Sequence, residues 1–246
     1  MTTPPRIDLN SDLGEGAGPD AELMPLITSA NIACGAHAGD TATMEATVAL
    51  ARRHGVAVGA HPGFADPAHF GRVEQTLPAD KLRQLVHDQI AALGRLGPLR
   101  HVKPHGALYN LAARDPAAAA AVADAVWAAD PGLTLFALAG SELVRAGRAR
   151  GLRVAEEVFA DRTYQRDGGL TPRSRPEALI TDEAVAVAQV LRMVHAGVVR
   201  ATDGTEVAVT ADTVCLHGDG PRALALARRL RAALEQAGVE VRTFGA

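Results

Sequence analysis

The chain has 246 residues, 48% of them hydrophobic, enough to bury one sizeable core, and no Ser/Gly-rich linker or block of like charge marks a boundary. One domain over residues 1–246 is therefore expected. Twenty-five basic residues against 28 acidic ones leave a net charge of -3, which excludes the footprint of a nucleic-acid binder and makes a small molecule the expected ligand. The N-terminus lacks the apolar core of a signal peptide and no stretch is apolar enough to span a bilayer, so a cytoplasmic protein without membrane contact is expected. Cys34 and Cys215 are too few for a disulfide framework and read as buried packing thiols.

In chain order, short apolar runs predict strands at Ile7–Asn10, Asn31–Cys34, Val56–Ala60, His101–Lys103, Leu133–Leu138, Arg153–Phe159 and Thr213–Leu216, with Val239–Phe244 as a candidate eighth. Helical periodicity falls between them, at Thr41–Arg53, Ala79–Leu96, Pro116–Ala129, Ser141–Arg150, Asp182–Gly197 and Pro221–Gly238. Strand then helix, repeated seven or eight times in about 250 residues, predicts an α/β fold of the TIM-like (β/α) barrel type. No GxGxxG follows the first strand, which argues against an open nucleotide-binding sheet.

Catalytic groups of such barrels stand just past the C-terminal ends of strands. The strands here run into Asn10-Ser-Asp-Leu-Gly-Glu-Gly16, Cys34-Gly-Ala-His-Ala-Gly-Asp40, Gly59-Ala-His-Pro-Gly63, Lys103-Pro-His-Gly106, Glu156-Glu-Val-Phe-Ala-Asp-Arg162 and His217-Gly-Asp219. Five histidines, His37, His61, His101, His105 and His217, lie at or beside strand ends, whereas His54, His69, His87 and His195 read as surface or capping residues. The rim offers the carboxylates Asp12, Glu15, Glu157, Asp161 and Asp219, and the cations Lys103 and Arg162 for an anionic substrate or oxyanion. No serine sits in a GxSxG elbow. These residue types point to attack by water or carboxylate on a carbonyl carbon. The expected catalytic set is Asp12, His37, His61, Lys103, His105, Glu157, Asp161, Arg162, His217 and Asp219.

Lys103 and His105 stand two apart around Pro104, so both are expected to face the barrel mouth. Lys103 would serve an anion and His105 would move a proton. If a divalent metal is bound, Asp12, His37 and His61 are its expected ligands. The His-x-x-x-His pair of many metal-dependent deacetylases is absent, because Thr41 stands four after His37.

The strings Asp8-Leu-Asn-Ser-Asp-Leu-Gly-Glu-Gly16, Thr28-Ser-Ala-Asn-Ile-Ala-Cys-Gly-Ala-His-Ala-Gly-Asp40, Gly59-Ala-His-Pro-Gly63, His101-Val-Lys-Pro-His-Gly-Ala-Leu-Tyr-Asn110, Glu157-Val-Phe-Ala-Asp-Arg162 and Cys215-Leu-His-Gly-Asp219 resemble the LamB/YcsF family. The resemblance implies a barrel akin to the glycoside hydrolase/deacetylase group. It further implies an ATP-dependent 5-oxoprolinase activity, opening 5-oxoproline to glutamate with hydrolysis of ATP to ADP and phosphate, in complex with partner subunits B and C. Ser11 stands where many relatives carry Cys, Ala36 where Phe is usual, and Val73 where a second Arg often follows Phe70-Gly71-Arg72. The chain has no Walker A loop or kinase Gly-rich loop, so ATP as co-substrate is expected to bind through the partners. The alternative readings are a stand-alone, divalent-metal-dependent, deacetylase-like amidohydrolase and a non-catalytic binding subunit.

Overall fold

The computed structural model describes residues 4–16, 19–216 and 223–245. Its elements in order are β1 (Arg6–Leu13), α1 (Asp20–Leu23), β2 (Ser29–Ala33), α2 (Thr41–Arg53), β3 (Ala57–His61), α3 (Ala79–Gly94), β4 (His101–Val102), α4 (Gly106–Arg114), α5 (Pro116–Ala129), β5 (Thr134–Leu138), α6 (Glu142–Arg150), β6 (Arg153–Phe159), α7 (Glu183–Ala196), β7 (Val198–Arg200), β8 (Glu206–Ala208), β9 (Thr213–Leu216), α8 (Ala223–Gln236) and β10 (Glu240–Val241). The helix limits follow capping residues visible in the sequence. Asp40, Asp115, Ser141 and Asp182 accept hydrogen bonds from backbone N–H groups in the first turns of α2, α5, α6 and α7. Gly151 and Gly197 end α6 and α7 in the left-handed conformation.

The barrel closes at seven strands. The ring runs β1-β2-β3-β4-β5-β6-β9 and returns to β1, every pairing parallel. The candidate eighth run yields only β10, which pairs with Arg6 and Ile7 at the foot of β1, below the β9 register that begins at Asp8. With β2 and β9 both bonded along the upper part of β1, the ring has no gap for it. Further elements were not expected from sequence: the short α1, α4, and the antiparallel hairpin β7–β8 around Asp203-Gly204.

Alternation along each strand sorts its side chains to the two faces of the barrel wall. Leu9, Ile32, Ala60, Val102, Leu135, Val158 and Val214 belong to the apolar core beneath the helices. The opposite face of the same strands carries Asp8, Asn10, Asp12, Asn31, His61, His101, Lys103, Glu157, Thr213 and Cys215, which contact one another across the lumen. The lumen is thus a polar column. This explains why β1 runs three residues past its expected end at Asn10, since Ser11 and Asp12 remain paired with Ala30 and Asn31 of β2. Gly59 leaves the space that His101 fills, because a Cβ there would lie 2.1 Å from the His101 Nε2.

Candidate active site at the barrel mouth

Lys103, the residue after β4, carries its ammonium into the lumen, where Nζ donates to Asp12 Oδ1 at 2.9 Å, Glu157 Oε1 at 3.0 Å and Asn10 Oδ1 at 3.1 Å, and lies 3.0 Å from Cys215 Sγ. Its side chain is 3% exposed. Burial alone would depress its pKa, but the flanking carboxylates of Asp12 and Glu157 hold it well above the usual lysine range. Glu157 is fully buried, accepting also from Asn10 Nδ2 and from Tyr109 OH, so it sits beneath the mouth rather than on its surface. Asn31 Nδ2 donates to Asp12 Oδ1 at 2.8 Å. One Asp12 oxygen is therefore fixed by two donors, while Oδ2 lies 3.3 Å from His61 Nε2.

Three histidines meet above this layer. His61 ends β3, His37 lies in the loop after β2, and His105 caps the N-terminus of α4. The His37 and His105 rings stack at 3.8 Å, and His61 stands edge-on to both. Glu15, from the turn after β1, places Oε1 3.3 Å from His37 Nε2, 3.4 Å from His105 Nδ1 and 3.8 Å from His61 Nε2. Burial pulls the His37 pKa down, and burial together with the neighbouring His61 and His37 takes His105 to about 2. For His61 burial also opposes the charged form, but the Asp12 carboxylate outweighs it and raises the pKa. Glu15, His37, His61 and His105 form the group of potential metal ligands among the described residues. The metal set expected from sequence had Asp12 in place of Glu15 and His105. Asp12 lies beside that group, its Oδ1 held by Lys103 and Asn31 and its Oδ2 against His61 Nε2.

A cavity of about 630 Å³ opens over these groups. Asp12, Glu15, His61, Lys103 and His105 form its floor, and Arg72, Arg162 and Arg173 stand among its walls. The Arg162 guanidinium donates to the carbonyls of Thr171 and Ala178, which fixes its orientation. Burial, and then the nearby Arg173, lower its pKa to about 10. Arg162 and Arg173, both lining the cavity, make a wall suited to an anion.

The structure therefore gathers Asp12, His37, His61, Lys103, His105 and Glu157 into one network and puts Arg162 on the cavity wall. Asp161, next to Arg162, is not among the residues that line the cavity. His217 and Asp219 lie outside the described residues. His101 is not at the rim as expected. It sits within the lumen, its Nε2 donating to Asn31 Oδ1 and its ring stacked on Phe136, and burial, with the Lys103 charge, takes its pKa to about 3. Cys34 is a buried thiol with its pKa pushed up to about 12 by burial. Cys215 is buried too, but it does more than pack, since it touches Lys103; burial keeps it a thiol despite that charge. Sequence reasoning passed over Arg72, Tyr109 and most of the wall that includes Gln165, Thr171 and Arg173. The signal available was length, because residues 160–182 separate β6 from α7 and long loops at this end of a barrel commonly line sites.

Comparison with known proteins agrees with the fold. The family model described as LamB/YcsF family matches residues 7–246. The A component of 5-oxoprolinase from Geobacillus thermodenitrificans (strain NG80-2) is 54% identical over 247 residues, covering 97% of this chain and 96% of that protein. The crystal structure of the lactam utilization protein from Thermus thermophilus superposes with a TM-score of 0.91 at 50% identity, covering 97% of this chain and all of that one. Peptidoglycan deacetylase PdaC from Bacillus subtilis shares the fold alone, with a TM-score of 0.50 at 12% identity over 98% of this chain and 88% of its own.

Proposed function

The chain belongs to the LamB/YcsF family, and from that premise we propose that it is the lactam-opening subunit of an ATP-dependent 5-oxoprolinase, acting with partner subunits B and C in the cytoplasm. The observation that carries this reading is one cavity with an acid–base floor of Asp12, Lys103 and His61 and a wall bearing Arg162 and Arg173. A 54% identical relative is named as the A component of 5-oxoprolinase.

A five-membered lactam is an unstrained, resonance-stabilised amide and a poor electrophile. Phosphorylation of its oxygen by the partners, at the expense of ATP, gives an activated imidate that this barrel receives. Arg162 and Arg173 bind its anionic groups, the task expected from sequence for Lys103 and Arg162. Lys103, held between two carboxylates, instead fixes Asp12 in place. Asp12 takes a proton from the water that adds to the ring carbon and delivers it to the ring nitrogen. As the adduct collapses its hydroxyl proton also passes to that nitrogen, the C–N bond breaks and γ-glutamyl phosphate is left, from which a second water displaces phosphate to give glutamate. His105, neutral and donating through Nε2 to the Phe70 carbonyl, positions the cluster rather than carrying that proton. No helix among the described residues is long and apolar enough to cross a membrane.

The test is glutamate formation from 5-oxoproline and ATP in the presence of the partner subunits. Turnover should require this chain, and Asp12→Asn should lower kcat by roughly 10²–10⁴-fold with folding intact. Glutamate production without the chain, or undiminished with Asp12→Asn, would overturn the assignment.

A further inference from the structure

The protons on the mouth histidines can be placed from their backbone partners. His61 Nδ1 lies 2.7 Å from the Lys103 carbonyl oxygen, which can only accept, so Nδ1 carries the hydrogen. His105 Nε2 lies 2.8 Å from the Phe70 carbonyl oxygen, so there Nε2 carries it. In neutral rings the remaining nitrogens, His61 Nε2 and His105 Nδ1, are bare lone pairs, and they face each other at 2.9 Å. Glu15 Oε1, a third acceptor, lies 3.4 Å from His105 Nδ1 and 3.8 Å from His61 Nε2, and His37 Nε2 is 3.3 Å from the same oxygen. Four electron-pair donors thus converge, and with these tautomers the four groups bring at most one proton between them, on His37. Convergent lone pairs without donors repel one another and are costly when buried.

We propose that Glu15, His37, His61 and His105 bind one divalent transition-metal ion of the zinc type. A single proton shared by His61 and His105 would relieve one contact, whereas a central cation satisfies all four ligands. Tetrahedral bonds of about 2.0–2.1 Å put ligand atoms roughly 3.3 Å apart; the four separations above run from 2.9 to 3.8 Å, and all four ligand atoms lie within 4.8 Å of one another. Three imidazoles and one carboxylate suit Zn²⁺ or Co²⁺ better than the oxygen-seeking Mg²⁺ or Ca²⁺. The carbonyls of Lys103 and Phe70 hold the ring nitrogens that face away from the cluster, the arrangement that orients histidine ligands in metal sites. Backbone packing fixes the rings as well. A Cβ on Gly71 would lie 2.8 Å from His37 Cβ and 3.0 Å from His105 Cδ2, and one on Gly63 would lie 2.9 Å from His37 Nδ1.

This inference does not depend on the lactam-opening reading, because the metal is measured directly and not through turnover. Protein stripped with a chelator is titrated with Co²⁺, following the visible d–d bands of a four- or five-coordinate nitrogen-rich site, and metal is counted by elemental analysis after Zn²⁺ reloading. One ion per chain is expected. Glu15→Gln and His105→Ala should each weaken Co²⁺ binding by at least about 10-fold, while Asp12→Asn keeps stoichiometric binding. Wild-type protein that shows no cobalt bands and retains no zinc overturns the proposal, whatever the variants do. So do bands of full intensity that survive both Glu15→Gln and His105→Ala. Should either variant fail to fold, ¹⁵N NMR of the wild-type imidazoles decides: Zn²⁺ must shift His61 Nε2 and His105 Nδ1, and unmoved resonances count against the site.

Discussion

At the foot of the barrel lumen Asp8 accepts hydrogen bonds from the hydroxyls of Thr28, Ser29 and Thr213, and Thr213 in turn accepts from Asn10. At the mouth, by contrast, Glu15 and the neutral tautomers assigned above to His61 and His105 turn acceptors toward one another. Both regions are buried, polar and built from the inward residues of the same strands or the turns that follow them. They differ in whether each acceptor has a donor. The foot is a satisfied network, which supports structure, and burial raises the Asp8 pKa without making it a site. The mouth is unsatisfied and open to a cavity, which is what a reaction centre or ligand needs. A buried polar cluster is informative about function only after its donors and acceptors have been matched.

Lys103 joins the two regions and should give the largest effect. Lys103→Met would leave Asp12 and Glu157 facing each other without a cation, and unfolding free energy from denaturant titration should fall by about 3–5 kcal/mol, with turnover lost as well. A variant of wild-type stability would mean that charge balance does not hold the column together. At the foot, Thr213→Val keeps the shape but removes one donor from Asp8 and one acceptor from Asn10. Stability should drop by about 1–3 kcal/mol with kcat unchanged. A loss of kcat at constant stability would erase the distinction between foot and mouth.

The third effect, seen only in how stability depends on pH, concerns His101, midway up the column. Its folded pKa of about 3 lies below the value of about 6.5 for an unfolded chain, so the unfolded state binds the extra proton between those two pH values. Its contribution to stability is therefore present above pH about 6.5 and is lost as pH falls toward 3, with a slope of up to about 1.4 kcal/mol per pH unit for one proton. His37 and His105, also depressed, act in the same direction. Replacing His101 by Gln should flatten the stability–pH curve by one proton's share. An unchanged slope would show that His101 is already charged in the folded protein.

The βα alternation could be read from the chain because the strands are short and apolar on at least one face and the helices carry their own stops. Thr41–Arg53 and Pro116–Ala129 were readable to the residue, since Asp40 and Asp115 cap them. The motif strings also located the mouth, because side chains past strand ends have few places to go in a barrel. Reading fell short where the pattern was not apolar. The upper half of β1 was missed because its inward residues are polar, and α4 was taken for rim loop because its first turn, Gly106-Ala107-Leu108-Tyr109, follows the rim residue His105 directly.

Local sequence thus determined most of the barrel strands and the helices between them, and most of the titratable residues that stand near the mouth. It could not decide that seven strands close the ring, that Lys103 is clasped between Asp12 and Glu157 at the floor of the cavity, or that Glu15 and His105 rather than Asp12 complete the histidine cluster. Those outcomes rest on contacts between residues far apart in the chain: Asn10 with Thr213 spans 203 positions, Lys103 with Cys215 112, and Asn10 with Glu157 147. A hydrogen-bond partner is fixed by a few tenths of an ångström and by which ring nitrogen holds the proton, and only the closed barrel sets those distances.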